Sequence, residues 1–470
     1  LNIKINIILK KNPASMRIQT IFLFTLLSFC SSLAFNQQST TFKTILTKAG
    51  NENKNIWMYV QSKSCQLCNA LAKTALNSDE SIQYILKNEY VFYTTATIPS
   101  EIQPDTSVYY FPETFFGMII TDTKGNILAV DADARNHPNY YTNFSYSIKN
   151  KEMHGGSLLH QQLQAYNLNN KNFYNAYNLL KTLLDYNIEP GNALLNRIAE
   201  TIPADSIHST TFIQTLAKAA PTVSSTLFKY LRKDTRLFSE SWYQLPLSLR
   251  MTINSRILTK SLNRAIADTN FVYAVEAAQF IANTYTNKDE GNQQFDAALL
   301  QYYYGIGDTT QFIQKALRYY DRYFPATLID SVHTADSIYA ANNNDAFMKQ
   351  LKKMNIQNPT GNGNYFIKRT TIISPNGTRI AGELHKGAKQ LYEMTNEVTY
   401  LNKALEWNSK SIRANLNADN ANTQARILYK LGNYKEAIQW QKTAINEVKK
   451  KNLDTEWFEQ NPEKLQSSKS

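Results

Sequence analysis

Two hydrophobic rhythms divide the chain. Toward the amino end, Ile56-Trp57-Met58-Tyr59-Val60 is a continuous apolar run of strand length, and it predicts a buried strand. The stretch Asn69 to Leu76 then reads as a helix, and Asp79 ahead of Ile82, Ile85 and Leu86 signals the start of a second one. Tyr90-Val91-Phe92-Tyr93 predicts another strand, followed by a polar loop with Pro104. The run from Phe111 to Ile120, the turn Thr121 to Asn126 and the run Ile127 to Val130 predict a strand, a Lys-Gly turn and a strand. From Leu158 onward the period changes. Apolar residues recur at three and four, as in Phe173, Ala176, Tyr177, Leu180, Leu183 and Leu184, with almost no strand alternation until the late 360s. Between Asn358 and Ile380, two Asn-Gly-rich stretches around Ile367 to Ile373 predict a loop and small hairpin between helical blocks. Their spacing does not match a phosphate loop.

The first residues carry an address rather than a fold. Met16-Arg17, the apolar run Ile21 to Phe29 and Ser32-Leu33-Ala34 form the three parts of a secretory signal, with cleavage expected after Ala34. Residues 1–15 precede it as an upstream segment set aside, and residues 16–34 are the signal. A lipid anchor at Cys30 is disfavoured because Phe29 stands where a small residue is wanted. Loss of Lys4, Lys10, Lys11 and Arg17 takes the net charge from +12 to +8, which is mildly basic. No block of five like charges appears, so nucleic acid is not an expected partner, and no second apolar run of 18 residues predicts a membrane span. The expected location is periplasmic or secreted.

With Cys30 gone, Cys65 and Cys68 are the cysteines that remain, in Ser64-Cys65-Gln66-Leu67-Cys68-Asn69. The Cys-x-x-Cys spacing is a redox spacing. A thiolate at the first turn of a helix faces unpaired amide N–H groups and the positive end of the dipole, so Cys65 should ionise readily. Cys68, a turn further in, can then resolve a mixed disulfide on Cys65. A structural disulfide, or half of a metal site, remains an alternative. Zinc would need four ligands, and His137, His154, His160, His208, His333 and His385 are scattered without helical pairing. Pro112, ahead of a predicted strand, is of the kind that often marks a cis bond in a tight corner.

Strand, Cys-x-x-Cys, helix and a later strand-heading proline together resemble a thioredoxin-like domain of bacterial periplasmic thiol-disulfide interchange proteins, over residues 41–150. The resemblance implies that Cys65 and Cys68 are the redox couple and that Pro112 is cis and packs beside them; it implies no cofactor. The chain departs from the family in lacking the Trp and inner Pro of the usual centre. Tyr59 falls where thioredoxins carry a buried acid, and a phenol cannot shuttle a proton near neutral pH. Direction and rate of electron flow are therefore left open.

Residues 158–470 are expected to be an α-helical array, with the insertion at 358–380. Leu428 to Ile438, with its Gly432-Asn433 turn, Trp440 and Ala444, resembles a tetratricopeptide repeat; Tyr303 to Ala316 and Tyr400 to Trp407 repeat it more weakly. Composition changes little: 470 residues at 43% apolar and 19% charged are too apolar for disorder and too long for one core. No Ser-His-Asp set, paired carboxylates or Walker-type loop is present. The expectation is an α/β thioredoxin-like domain followed by an all-α array, acting on protein thiols and disulfides and binding a protein partner through the repeats. The rival is a non-catalytic interaction protein with a structural disulfide.

Overall fold

The computed structural model describes residues 41–62, 65–102, 107–112, 115–131, 137–152, 157–203, 209–353, 374–453, 455 and 458–459. The upstream segment, the signal, Cys30 and the predicted strand Ile367 to Ile373 lie outside these.

The first elements build a mixed sheet between helices. Helix α1 (Phe42–Glu52) leads into β1 (Asn55–Val60), then α2 (Gln66–Asn77), α3 (Glu80–Asn88) and β2 (Tyr90–Thr95). After β3 (Tyr109–Tyr110) come β4 (Gly117–Thr121), β5 (Ile127–Asp131) and α4 (Pro138–Glu152). The strand order is β2-β1-β4-β5. Strand β1 runs parallel to β2, with Ile56 opposite Val91, and antiparallel to β4, with Met58 opposite Ile119. The β4–β5 turn is closed by Asp122, whose Oδ1 accepts from the N–H groups of Lys124 and Asn126, both at 2.8 Å.

Burial on both faces explains why β1 is apolar throughout instead of alternating. Ile56, Met58 and Val60 point into a core with Phe42 and Ile45 of α1; Trp57 and Tyr59 point into a second core with Ala72, Leu76, Ile82 and Tyr141 of α2, α3 and α4. Strand β4 starts only at Gly117, so Phe111, Pro112, Phe115 and Phe116 do not extend it.

The rest of the described chain is almost entirely helical. Helices α5 (Leu158–Leu168) and α6 (Phe173–Asp185) precede the two-residue strand β6 (Glu189–Pro190), which the sequence pattern did not signal and which pairs antiparallel with β3. Then follow α7 (Asn192–Thr201), α8 (Thr210–Lys218), α9 (Thr226–Leu231), α10 (Thr235–Tyr243), α11 (Leu247–Ala267), α12 (Phe271–Ala282), α13 (Lys288–Gly305), α14 (Thr309–Tyr323) and α15 (Ala326–Lys353). After them come α16 (Pro375–Met394), α17 (Val398–Ala414), α18 (Ala418–Lys430) and α19 (Tyr434–Lys449). The sheet core continues without a break into Phe173, Leu180, Leu216 and Leu227, so α5 to α9 share it with the strands. Lys260 of α11, 6% exposed, adds a polar tie: its Nζ lies 3.3 Å from Glu189 Oε1 and donates to Ala219 O at 3.2 Å.

A common turn joins helix to helix. Gly307 between α13 and α14 (φ 73°) and Gly432 between α18 and α19 (φ 84°) are left-handed, and the next residue's N–H bonds back into the first helix, Asp308 to Tyr303 O and Asn433 to Leu428 O. Thr269 (φ 48°) makes the same turn between α11 and α12, with Asn270 bonding to Ala265 O. These are antiparallel helix pairs in a repeat-like succession.

The predicted loop before Ile380 is corrected at its end. Pro375 opens α16, because its fixed φ and missing N–H suit the first helical turn. Asp336 of α15, 4% exposed, caps that turn from outside: its carboxylate accepts from the Asn376 and Gly377 N–H groups at 3.0 and 2.8 Å, and from the Ser374 hydroxyl.

Candidate redox site

The site begins where β1 leaves the sheet. Strand β1 ends at Val60, and α2 begins at Gln66 with Cys65 as its N-cap. The Cys65 N–H donates to Ser62 Oγ at 3.0 Å, and the Cys68 N–H donates to Cys65 Sγ at 3.1 Å. Cys65 and Cys68 form a disulfide with Cα atoms 5.2 Å apart. Cys65 thus occupies the helix tip expected of it, although both cysteines are half-buried, so burial does not separate an exposed sulfur from a hidden one.

Asn69 holds this turn together. Its Oδ1 accepts from the Ser62 N–H at 2.8 Å and the Tyr59 hydroxyl at 3.1 Å; its Nδ2 donates to Ser62 O at 2.9 Å and Gln66 Oε1 at 3.2 Å. Every hydrogen-bonding position of the amide is used, and Ser62 is bridged through both backbone groups as a strand neighbour would bridge it. Burial, with Tyr141 nearby, holds the Tyr59 phenol well above its ordinary pKa, so it acts here as a donor to Asn69. Sequence reasoning did not single out Ser62 or Asn69. A hydroxyl three residues before a helix-capping cysteine and an amide directly after the pair were the available signals.

Pro112 is half-buried in the connection from β3 to β4. Its expected cis bond is corrected: no cis peptide bond occurs among the described residues, so Phe111 and Pro112 are joined in trans. The reason is local. Pro112 does not head a strand; it opens a turn in which its carbonyl accepts from the Phe115 N–H at 2.8 Å, and Phe111 packs edge-on against Phe115.

The carboxyl end of the chain supplies another wall of α2. Ala70 shares a small apolar cluster with Ala418 and Ala421 of α18, Ala444 and Val448 of α19, Leu453 and Phe458, while Leu67, Leu71, Trp440 and Ile445 pack around it. Alanine side chains permit close approach but stabilise only by about 0.8 kcal/mol each. Asp419 lies on α18 within this stretch; burial raises its carboxyl pKa, and Lys389 and Lys451 oppose that rise.

The arrangement offers thiol-disulfide chemistry at a helix N-terminus. Among the described residues no group of three or more His, Cys, Asp or Glu side chains is placed to hold a metal. Compared with known proteins, the sequence matches no family model, and no curated protein matches it.

Proposed function

We propose that the protein is an exported, thioredoxin-like thiol-disulfide oxidoreductase that acts on protein disulfides through Cys65 and Cys68, with its helical repeats binding a protein partner. The observation that carries the reading is the disulfide closing the first turn of the helix that follows the central strand, in a sheet ordered β2-β1-β4-β5. In the reducing direction, the Cys65 thiolate attacks one sulfur of a client disulfide; the other client sulfur leaves as thiolate. Cys68 then attacks Cys65 Sγ, releasing the second client thiol and leaving the Cys65–Cys68 disulfide. The Cys68 N–H and the α2 dipole stabilise the attacking thiolate. Tyr59 takes no proton in this scheme, so the proton of Cys68 passes to water or to the departing client thiolate.

The competing reading is an interaction protein in which the bond is structural. The trans bond at Pro112 and the wall of α18 and α19 on α2 favour it. Equilibration with glutathione under native conditions separates the two. An exchanging couple is reduced with the fold intact, and brief alkylation then labels Cys65 ahead of Cys68. A bond that opens only in denaturant would establish the structural reading instead.

A further inference from the structure

We propose that the α18–α19 pair is thermodynamically coupled to the Cys65–Cys68 bond, docked on α2 when the pair is oxidised and loosened when it is reduced. This deepens the oxidoreductase reading and rests on it. Leu67 carries the argument. It lies inside the ring closed by the disulfide and packs on the cluster formed by Ala70 with Ala418, Ala421, Ala444 and Val448. The bond fixes the turn that presents Leu67 to that cluster. Opening it releases the N-cap residue from Cys68 and leaves the turn to hydrogen bonds alone.

On its other side α18 is tied to its neighbours by polar contacts as well: His385 of α16 pairs with Thr423 at 2.8 Å, and Lys430 Nζ donates to Tyr392 O and Thr395 O at 2.9 and 2.7 Å. The α17–α18 joint combines Ile427, in one cluster with Ala404 and Trp407, with an amide network: Asn408 Nδ2 donates to Asn420 O at 2.8 Å and Gln424 Oε1 at 2.7 Å, and Gln424 Nε2 donates to Ser409 Oγ at 3.1 Å. Asn408 Oδ1 at this joint is buried without a hydrogen-bond partner among the described residues. The alanine-rich seam on α2 buries little apolar surface per residue, so it is the joint of α18 and α19 that a local change at α2 can loosen. A small change at Leu67 can then bias the dock, and reciprocity requires the dock to bias the bond.

The coupled reaction is balanced by two glutathione thiols: the protein S–S bond breaks, one glutathione disulfide forms, and two electrons and two protons end on Cys65 and Cys68. The test uses the full chain, comparing wild type with Trp440→Ala and Ile445→Ala, and with Leu71→Ala on the α2 side of the seam. Tyr434→Ala, on α19 but outside the cluster, is the control. Undocking variants should favour the dithiol by about tenfold in the glutathione equilibrium, a shift of about 30 mV for two electrons, while the control stays at the wild-type value. In wild type, reduction should speed deuterium exchange across residues 418–448. If the bond is reduced natively while exchange there is unchanged, or while the variants on both walls keep the wild-type equilibrium, the coupling is overturned and the oxidoreductase reading stands. If the bond cannot be reduced without unfolding, the oxidoreductase reading falls and the coupling with it.

Discussion

Asn69 shows how one side chain can tie the end of a strand to the start of a helix. Replacing it with alanine leaves the Ser62 N–H and carbonyl, and the Tyr59 hydroxyl, without their partner. A lost buried amide network of this kind costs about 2 kcal/mol, read as a lower urea midpoint at unchanged slope for Asn69→Ala. His385 makes a second prediction at this scale. Its Nε2 pairs with Thr423 Oγ1 at 2.8 Å, and burial, reinforced by Lys389, lowers its pKa to about 4. The unfolded chain, with an ordinary imidazole near 6.5, takes up the proton first. Stability from this site is therefore complete above about pH 6.5 and is lost as the pH falls toward 4, on the order of 3 kcal/mol in all. Denaturation midpoints measured across that window should decline in wild type and flatten in His385→Gln. The cysteine pair was legible from spacing and from the strand and helix that flank it. Ser62 and Asn69 were not, because their importance comes from a tertiary bridge that no periodicity records.

At the level of elements, continuous apolar runs marked β1 and β2 because a strand covered on both faces has no polar side to betray it. The Gly-Asp and Gly-Asn turns marked two helix pairs, since a left-handed residue is a local requirement. The same geometry at Thr269 escaped notice for lack of a glycine. The β3–β6 ribbon, two residues on each side, is too short to leave a pattern. Pro375 was misread as a loop residue because the group that caps its helix, Asp336, lies on a different one. Burial works against that carboxylate, yet bonds from Ser374, Gly377 and Asn376 hold its pKa below the usual range. Asp336→Ala should strip the first turn of α16 and destabilise the protein by about 3 kcal/mol at neutral pH. Thermal denaturation would register it, with faster deuterium exchange at residues 376–380. Close approach constrains α16 further: a Cβ on Gly387 would lie far inside van der Waals contact with Tyr320 Cζ.

For the whole molecule, helices α5 to α9 complete one face of the sheet rather than standing apart from it. Native-state exchange should accordingly give the amides of β1 and those of α6 the same opening free energy, whereas α18 and α19 should open at lower cost. Different opening energies for β1 and α6 would show that the shared core does not unfold as one. The same continuity bears on how client binding can be examined. Removing residues 385–470 would bare Tyr320, Phe324 and Ile329 as well as Ala70, so exposed positions in the array are the better places to probe a partner.

The wall on α2 also has a history in time. About 350 residues separate Cys68 from Ala418, and at roughly 5–20 residues per second a ribosome needs on the order of half a minute to make them. Throughout that interval the cysteine segment has been made while its cover has not. Until it is made, Leu67 and Ala70 lack the neighbours that cover them in the finished molecule. A Cys65–Cys68 bond made within that interval would form beside a different surface from the one that surrounds it in the finished molecule.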